Sequence, residues 1–250
     1  ADPDHLNIKK AVFETHNKTL QDLEAQKEEI LKNFRKCEES AMKELNLVKN
    51  LENDLKAAAQ MQQSLLPQSE LSICNIQCEW FFRPSLYVSG DMLHFFRLDH
   101  EHIGFYSVDV SGHGVKSAML SVILSSLLNH NQPNGLVKKK IVDFPYYTIS
   151  SPKDVVTELN SQFQMTPDNM TYFTMVYGIL NVFSGQGRLT RAGHPSPIII
   201  HENGHIDVIE EGGVPVGFLE QPDYQEVEFY LQKNSRLHLY TDGITECEGQ

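Results

Sequence analysis

The sequence predicts an α+β protein: an antiparallel β domain with few helices, preceded by one long coiled-coil helix. Three observations predict it. Between residues 4 and 66 there is neither glycine nor proline, and Glu, Lys, Gln, Leu and Ala dominate, a composition suited to a long helix. Beyond Pro67 the texture changes to short alternating apolar runs punctuated by turn signals. Within that second region only 115–129 and 152–164 carry a helical pattern.

Taken in order, the helix carries an apolar seam along Leu20, Leu23, Ile30, Phe34, Cys37 and Ala41, then Leu45, Val48, Leu55, Ala59 and Leu66. Steps of three and four make this a heptad seam, interrupted by Lys27, Glu52 and Gln62. Two successive four-residue steps from Cys37 through Ala41 to Leu45 form a stutter, which locally unwinds a left-handed supercoil. A lone helix must bury such a stripe. A second copy is the most economical cover, so a parallel homodimer through residues 1–66 is expected; the alternative is a helix folded back on its own domain. Pro67 ends the helix. The expected division is therefore 1–68, a coiled-coil linker and dimerisation helix, and 69–250, a globular domain. Strands are expected over 73–82, 92–98, 102–110, 172–182, 188–192, 197–201, 205–209, 224–231 and 236–240. Residues 99–101 and 184–187 read as hairpin connections, and the polar 130–151 reads as a long surface connection.

Composition narrows the function classes. With 21 basic against 33 acidic residues the net charge is −12, which argues against nucleic acid or an anionic membrane as principal partner. No run approaches the ~18 apolar residues of a membrane span, and the N-terminal stretch has no signal-peptide core, so a cytoplasmic location is expected. Cys74 and Cys78 could share one face of a strand, but no second pair at zinc-ligand spacing accompanies them. The cysteines read as reduced packing residues.

The chemistry concentrates in "SVDVSGHGVKSAML", residues 107–120. A glycine-rich turn opening a helix attracts an anion, yet Asp109 would repel one. A divalent cation between carboxylate and phosphate removes the conflict. The competing reading is that Asp109 or Ser111 caps the helix. Asp91 in "VSGD" and Asp242 in "LYTDG" also stand where a strand meets a turn, so all three carboxylates could gather at one rim. Hard cations such as Mg²⁺ or Mn²⁺ take such oxygen ligands, whereas unmetallated carboxylates raise one another's pKa. Asp-Gly is also ordinary turn chemistry, so each motif taken singly stays open.

The ordered set "SGD", "DVSGHG", "FTMVYGILN", "RAGHPSP", "GGVPVGF" and "LYTDGITE" resembles the metal-dependent serine/threonine phosphatases of type 2C. Within that family the pattern resembles the bacterial branch that includes stage II sporulation protein E and the phosphatases of sigma-factor partner switching. The resemblance implies a β-sandwich of two antiparallel sheets flanked by helices, making 69–250 a type 2C-like phosphatase domain with two Mn²⁺ or Mg²⁺ ions. On that pattern Asp109 would bridge the ions, the Val110 carbonyl would join one, Asp91 would hold one directly or through water, and Asp242 would bind the other side. Asp109 would thereby be catalytic, and His113, with His194 behind it, is a candidate general acid. Arg83 is a candidate for meeting phosphate. The implied substrate is a phosphorylated regulatory protein, an anti-sigma-factor antagonist. The segment "LKAAAQMQQSLLP" resembles the linker that often follows an upstream receiver domain in this branch, which implies signalling through the coil. Two departures stand out: His94 lies where many members carry a carboxylate, and the chain stops at Gln250 where the family adds a further metal-binding Asp. An incomplete site is therefore expected unless His94 or Glu246 substitutes. The rival reading is a noncatalytic, coiled-coil dimeric signalling module with a degenerate phosphatase fold. A phosphate-loop hydrolase is disfavoured because the GxxxxGK[ST] spacing is missing.

Overall fold

The computed structural model describes residues 3–67, 70–84, 87–129 and 135–246. The chain divides into two compact units, Ala1–Leu55 and Lys56–Gln250. Helix α1, Pro3–Gln63, runs through the boundary between them. In the first unit the helix is exposed along its seam, with Leu23 at 56% and Ile30 at 67% of full exposure.

The second unit is built on a five-stranded antiparallel sheet. Its strands are β3 (Met92–Arg97), β4 (His102–Val110), β7 (Phe173–Asn181), β8 (Gln186–Ala192) and β11 (Val227–Tyr230), in the order β11-β8-β7-β4-β3. Alternation sorts the two faces. Tyr106, Val108 and Val110 of β4, with Phe173, Met175 and Tyr177 of β7, point to one side and pack against helices α2 (Val115–Leu127) and α3 (Pro152–Gln162). Ile103 and Phe105, with Val176 and Leu180, point to the other and form a core with Ile199, Ile209 and partly buried Leu237. That second layer contains the three-stranded sheet of β9 (Ile198–Ile200), β10 (Ile206–Val208) and β12 (Arg236–His238), also antiparallel. The expected sandwich of antiparallel sheets with flanking helices is thus the fold. Between the layers aromatic rings lie over glycines: a Cβ on Gly104 would stand 2.7 Å from the Phe96 ring, and Phe105 covers Gly178 in the same way.

The structure corrects the expectations at two places. The run 73–82 is two short strands, β1 (Glu70–Ile73) and β2 (Ile76–Glu79), because Cys74 turns the chain at φ 54°. Cys74 and Cys78 therefore do not share a strand. Part of the connection 130–151 is ordered as the antiparallel pair β5 (Lys138–Lys140) and β6 (Tyr147–Ile149), and Val137 beside it is fully buried. Residues 130–134 lie outside the described residues. Helix α2, where a helix was expected, buries Ser117, Ala118, Ser121 and Leu124, while Val115 and Met119 are exposed. Small side chains win that face because the turn at Gly90 comes close: a Cβ there would lie 3.3 Å from the Ser117 Cβ.

Candidate metal centre

β3 and β4 pair in register from Met92–Val108 to Arg97–Ile103, so the segment entering β3 and the end of β4 lie side by side. That places Asp91 against Asp109. The two carboxyls lie within hydrogen-bonding reach of each other, which favours the protonated form of Asp109 and the ionised form of Asp91. Burial raises the pKa of both, and the charges of Asp91 and Asp242 push Asp109 further, up to about 7. Glu246 adds to the same push.

Backbone contacts hold this rim. A Cβ at Gly90 would stand 2.7 Å from the Val110 carbonyl oxygen, so only glycine lets the Asp91 turn approach that carbonyl. Ser89 accepts a hydrogen bond from the Asp91 amide at 3.1 Å. After β4, the Ser111 amide donates to the Tyr172 carbonyl (3.0 Å) and the Ser111 hydroxyl accepts from the Tyr172 amide (3.1 Å), which ties the loop to the start of β7. Gly112 and Gly114 both take positive φ, 86° and 88°. Gly114 is the N-cap of α2, and no side chain caps that helix. The capping role considered for Asp109 and Ser111 is therefore overturned: Ser111 binds β7, and Asp109 faces Asp91.

The third carboxylate arrives from the other sheet. Past β12, a short 3₁₀ turn, Asp242–Ile244, carries Asp242, and the hydroxyl of Thr241 just before it donates to Asp91 Oδ2 at 3.4 Å. Asp242 and Glu246 themselves are exposed and reach Asp109 through charge. Among the described residues no three His, Cys, Asp or Glu side chains form a group that could hold a metal ion. The donor set is nevertheless all oxygen, and two half-buried carboxyls whose burial and mutual charge raise their pKa fit a hard divalent ion in kind. Asp91, Asp109 and the Val110 carbonyl are brought together; Asp242 stands at the edge.

The histidines part company. His113 is exposed on the turn between Gly112 and Gly114. His194 is only 1% exposed, its ring nitrogens 2.8 Å from the Thr174 hydroxyl and 3.0 Å from the Ser107 hydroxyl. Burial, and then the Arg191 charge, lower its pKa to about 4, so it is neutral and structural, not a general acid. His94 sits among aromatic rings, 5.8 Å from Phe96 and 6.2 Å from Tyr106 between centroids. Arg83 is exposed. Thr241 and the Ser107–His194–Thr174 chain were not legible in the sequence, because hydroxyl partners leave no pattern in spacing.

An antiparallel sandwich flanked by helices, with carboxylates meeting at the strand ends, is the fold of type 2C protein phosphatases. The SiaA-PP2C domain of Pseudomonas aeruginosa shares it, with a TM-score of 0.59 at 17% identity over 78% of this chain and 73% of that one. Residues 99–250 match the family of stage II sporulation protein E (SpoIIE), and the chain belongs to that family. Among curated relatives it is 27% identical over 203 residues to phosphoserine phosphatase RsbU of Bacillus subtilis, covering 79% of this chain and 55% of RsbU. To phosphoserine phosphatase RsbP of the same organism it is 24% identical over 197 residues, covering 79% and 46%. The chain thus spans about half the length of these relatives.

Proposed function

We propose that the chain catalyses metal-dependent hydrolysis of phosphoserine or phosphothreonine on a regulatory protein, an anti-sigma-factor antagonist, in the bacterial cytoplasm. The observation that carries this reading is the β3–β4 register that sets the Asp91 and Asp109 carboxyls against each other at the rim of a type 2C fold. Asp91, Asp109, the Val110 carbonyl and Asp242 would hold two Mn²⁺ or Mg²⁺ ions. When bound, these would lower the pKa of a water nucleophile and neutralise charge developing on the phosphoryl oxygens. The chain's own part is to fix the donors. The β3–β4 register sets the carboxyl pair, Gly90 admits the Val110 carbonyl, and the turn after β12 brings Asp242 to the edge. His113, exposed on the glycine turn that follows β4, is the group offered for protonating the leaving hydroxyl. The coil of α1 pairs two copies, and an upstream receiver domain acts through it.

The test is phosphate release from a phosphoserine peptide with Mn²⁺, with Mg²⁺ and with EDTA. Release that requires metal and is lost in Asp109→Asn supports the reading. The open position of Asp242 favours the rival, a noncatalytic partner-binding module. Tight Mn²⁺ binding without any phosphate release would select that rival.

A further inference from the structure

Gln62 is the one residue of the described part of α1 that is both polar and deeply buried, at 4% exposure. Its amide reaches two separate segments. Nε2 donates to the Ser89 carbonyl at 2.7 Å and to the Ser121 hydroxyl at 2.9 Å, while Oε1 accepts from the Ser89 amide at 3.1 Å. Ser89 is therefore gripped at both its backbone groups, as a neighbouring strand would grip it. The grip lies beside the metal rim. The Ser89 hydroxyl receives the Asp91 amide at 3.1 Å, and Gly90 between them rests on the Val110 carbonyl. Ser121 belongs to α2, the helix that follows the Asp109 loop, and its hydroxyl also donates to the Ala118 carbonyl at 2.8 Å. One amide thus ties the turn bearing Asp91 to the helix that follows Asp109.

We propose that Gln62 is a positioning residue: it fixes the Ser89–Gly90–Asp91 turn relative to α2 and thereby sets the affinity of the rim for a divalent cation. The cation part of this inference rests on the phosphatase reading above; the turn part does not. The physical reason is that the Asp91 amide is held by the Ser89 hydroxyl, and Ser89 is in turn held by Gln62. Remove the amide, and the half-buried Ser89 backbone keeps only the longer bond that its carbonyl accepts from the Ser121 hydroxyl at 3.4 Å, so the turn shifts toward water. A ligand that shifts by even a fraction of an ångström loses register with Asp109, which is the way residues behind a ligand act on metal sites.

The experiment compares Gln62→Met, which keeps the length and deletes all three bonds, with Ser121→Ala, which deletes one, and Asn160→Ala. Asn160 is an equally buried amide, but it holds the Gly217 amide and the Tyr224 hydroxyl and none of the carboxylate-bearing segments. Two quantities are read: hydrogen exchange of the Asp91 amide in metal-free protein, and Mn²⁺ affinity by calorimetry. Gln62→Met should speed exchange at Asp91 and weaken Mn²⁺ binding by about tenfold each, with a smaller effect in the same direction from Ser121→Ala. Asn160→Ala should lower the melting temperature and leave both readings at wild-type values. If Gln62→Met lowers the melting temperature but leaves Asp91 exchange and Mn²⁺ affinity unchanged, Gln62 is a packing residue and the proposal is overturned. Faster Asp91 exchange in a protein whose wild type binds no Mn²⁺ upholds the grip on the turn and overturns the metal reading instead.

Discussion

Two carboxyls held against each other at Asp91 and Asp109 store an electrostatic conflict that only a proton or a cation relieves. The pKa of Asp109 rises from 3.8 to about 7, so its contribution to stability is present below about pH 4 and is lost as pH rises through 7. Asp109→Asn removes the conflict. Metal-free Asp109→Asn should therefore be more stable than wild type at pH 8, by about 1–2 kcal/mol since solvent screens part of the repulsion, and no different at pH 4. Urea unfolding at the two pH values checks this, and the same variant should lose Mn²⁺ binding. His194 works with the opposite sign. Its folded pKa of about 4 lies below the ordinary 6.5, so the stability it contributes is full above pH 6.5 and is lost as pH falls toward 4. The loss should reach about 3 kcal/mol. His194→Gln, which cannot titrate, should show a flatter stability profile between pH 7 and pH 4 than wild type in the same urea titration.

The long helix and the strands differ in how they hide their apolar residues. Strands β4 and β7 are buried on both faces, because helices cover one side and the second sheet covers the other. In the first unit α1 leaves Leu20, Leu23, Ile30 and Phe34 exposed at heptad spacing. Dimerisation through that seam is the expected way to cover it. Leu23→Lys with Ile30→Lys should turn dimers into monomers in sedimentation at micromolar concentration, while the circular dichroism of the β domain stays unchanged. A wild type that sediments as a monomer removes the coiled-coil assignment. The elements also show where spacing informs and where it misleads. Strands β3, β4, β7 and β8 were legible because they are the longest runs of strand-forming residues and are bounded by turn signals. The hairpin of β1 and β2 was not, since Cys74 takes positive φ without a glycine or asparagine at that position to announce it. The buried face of α2 likewise rests on distant contacts: serines are buried there because Gly90 and Gln62 pack against them from distant parts of the chain.

At the scale of the molecule, a bound cation would act as a ligand of the folded state alone. Mn²⁺ at a hundred times its dissociation constant should stabilise the protein by about 2.7 kcal/mol, and EDTA should reverse the gain. For a domain of this size that is a rise in melting temperature of about 5–11 °C. Calorimetry with Mn²⁺ and with Ca²⁺ separates a specific site from general screening of the −12 charge, because screening would not distinguish the two ions. No helix among the described residues is long and apolar enough to cross a membrane. The sequence by itself determined the architecture, a long helix ahead of an antiparallel domain, since periodicity and the absence or presence of glycine and proline are local properties. It also determined that Asp91, Asp109 and Asp242 stand at strand ends, and the short β3–β4 connection made the meeting of the first two foreseeable. Only the tertiary structure decided that Asp242 stays at the edge, that His194 is buried and neutral, and that Gln62 grips the turn before Asp91. Each of those depends on contacts between residues far apart in the chain, some 30 to 150 positions, whose strength comes from burial and hydrogen-bond geometry that no local pattern encodes.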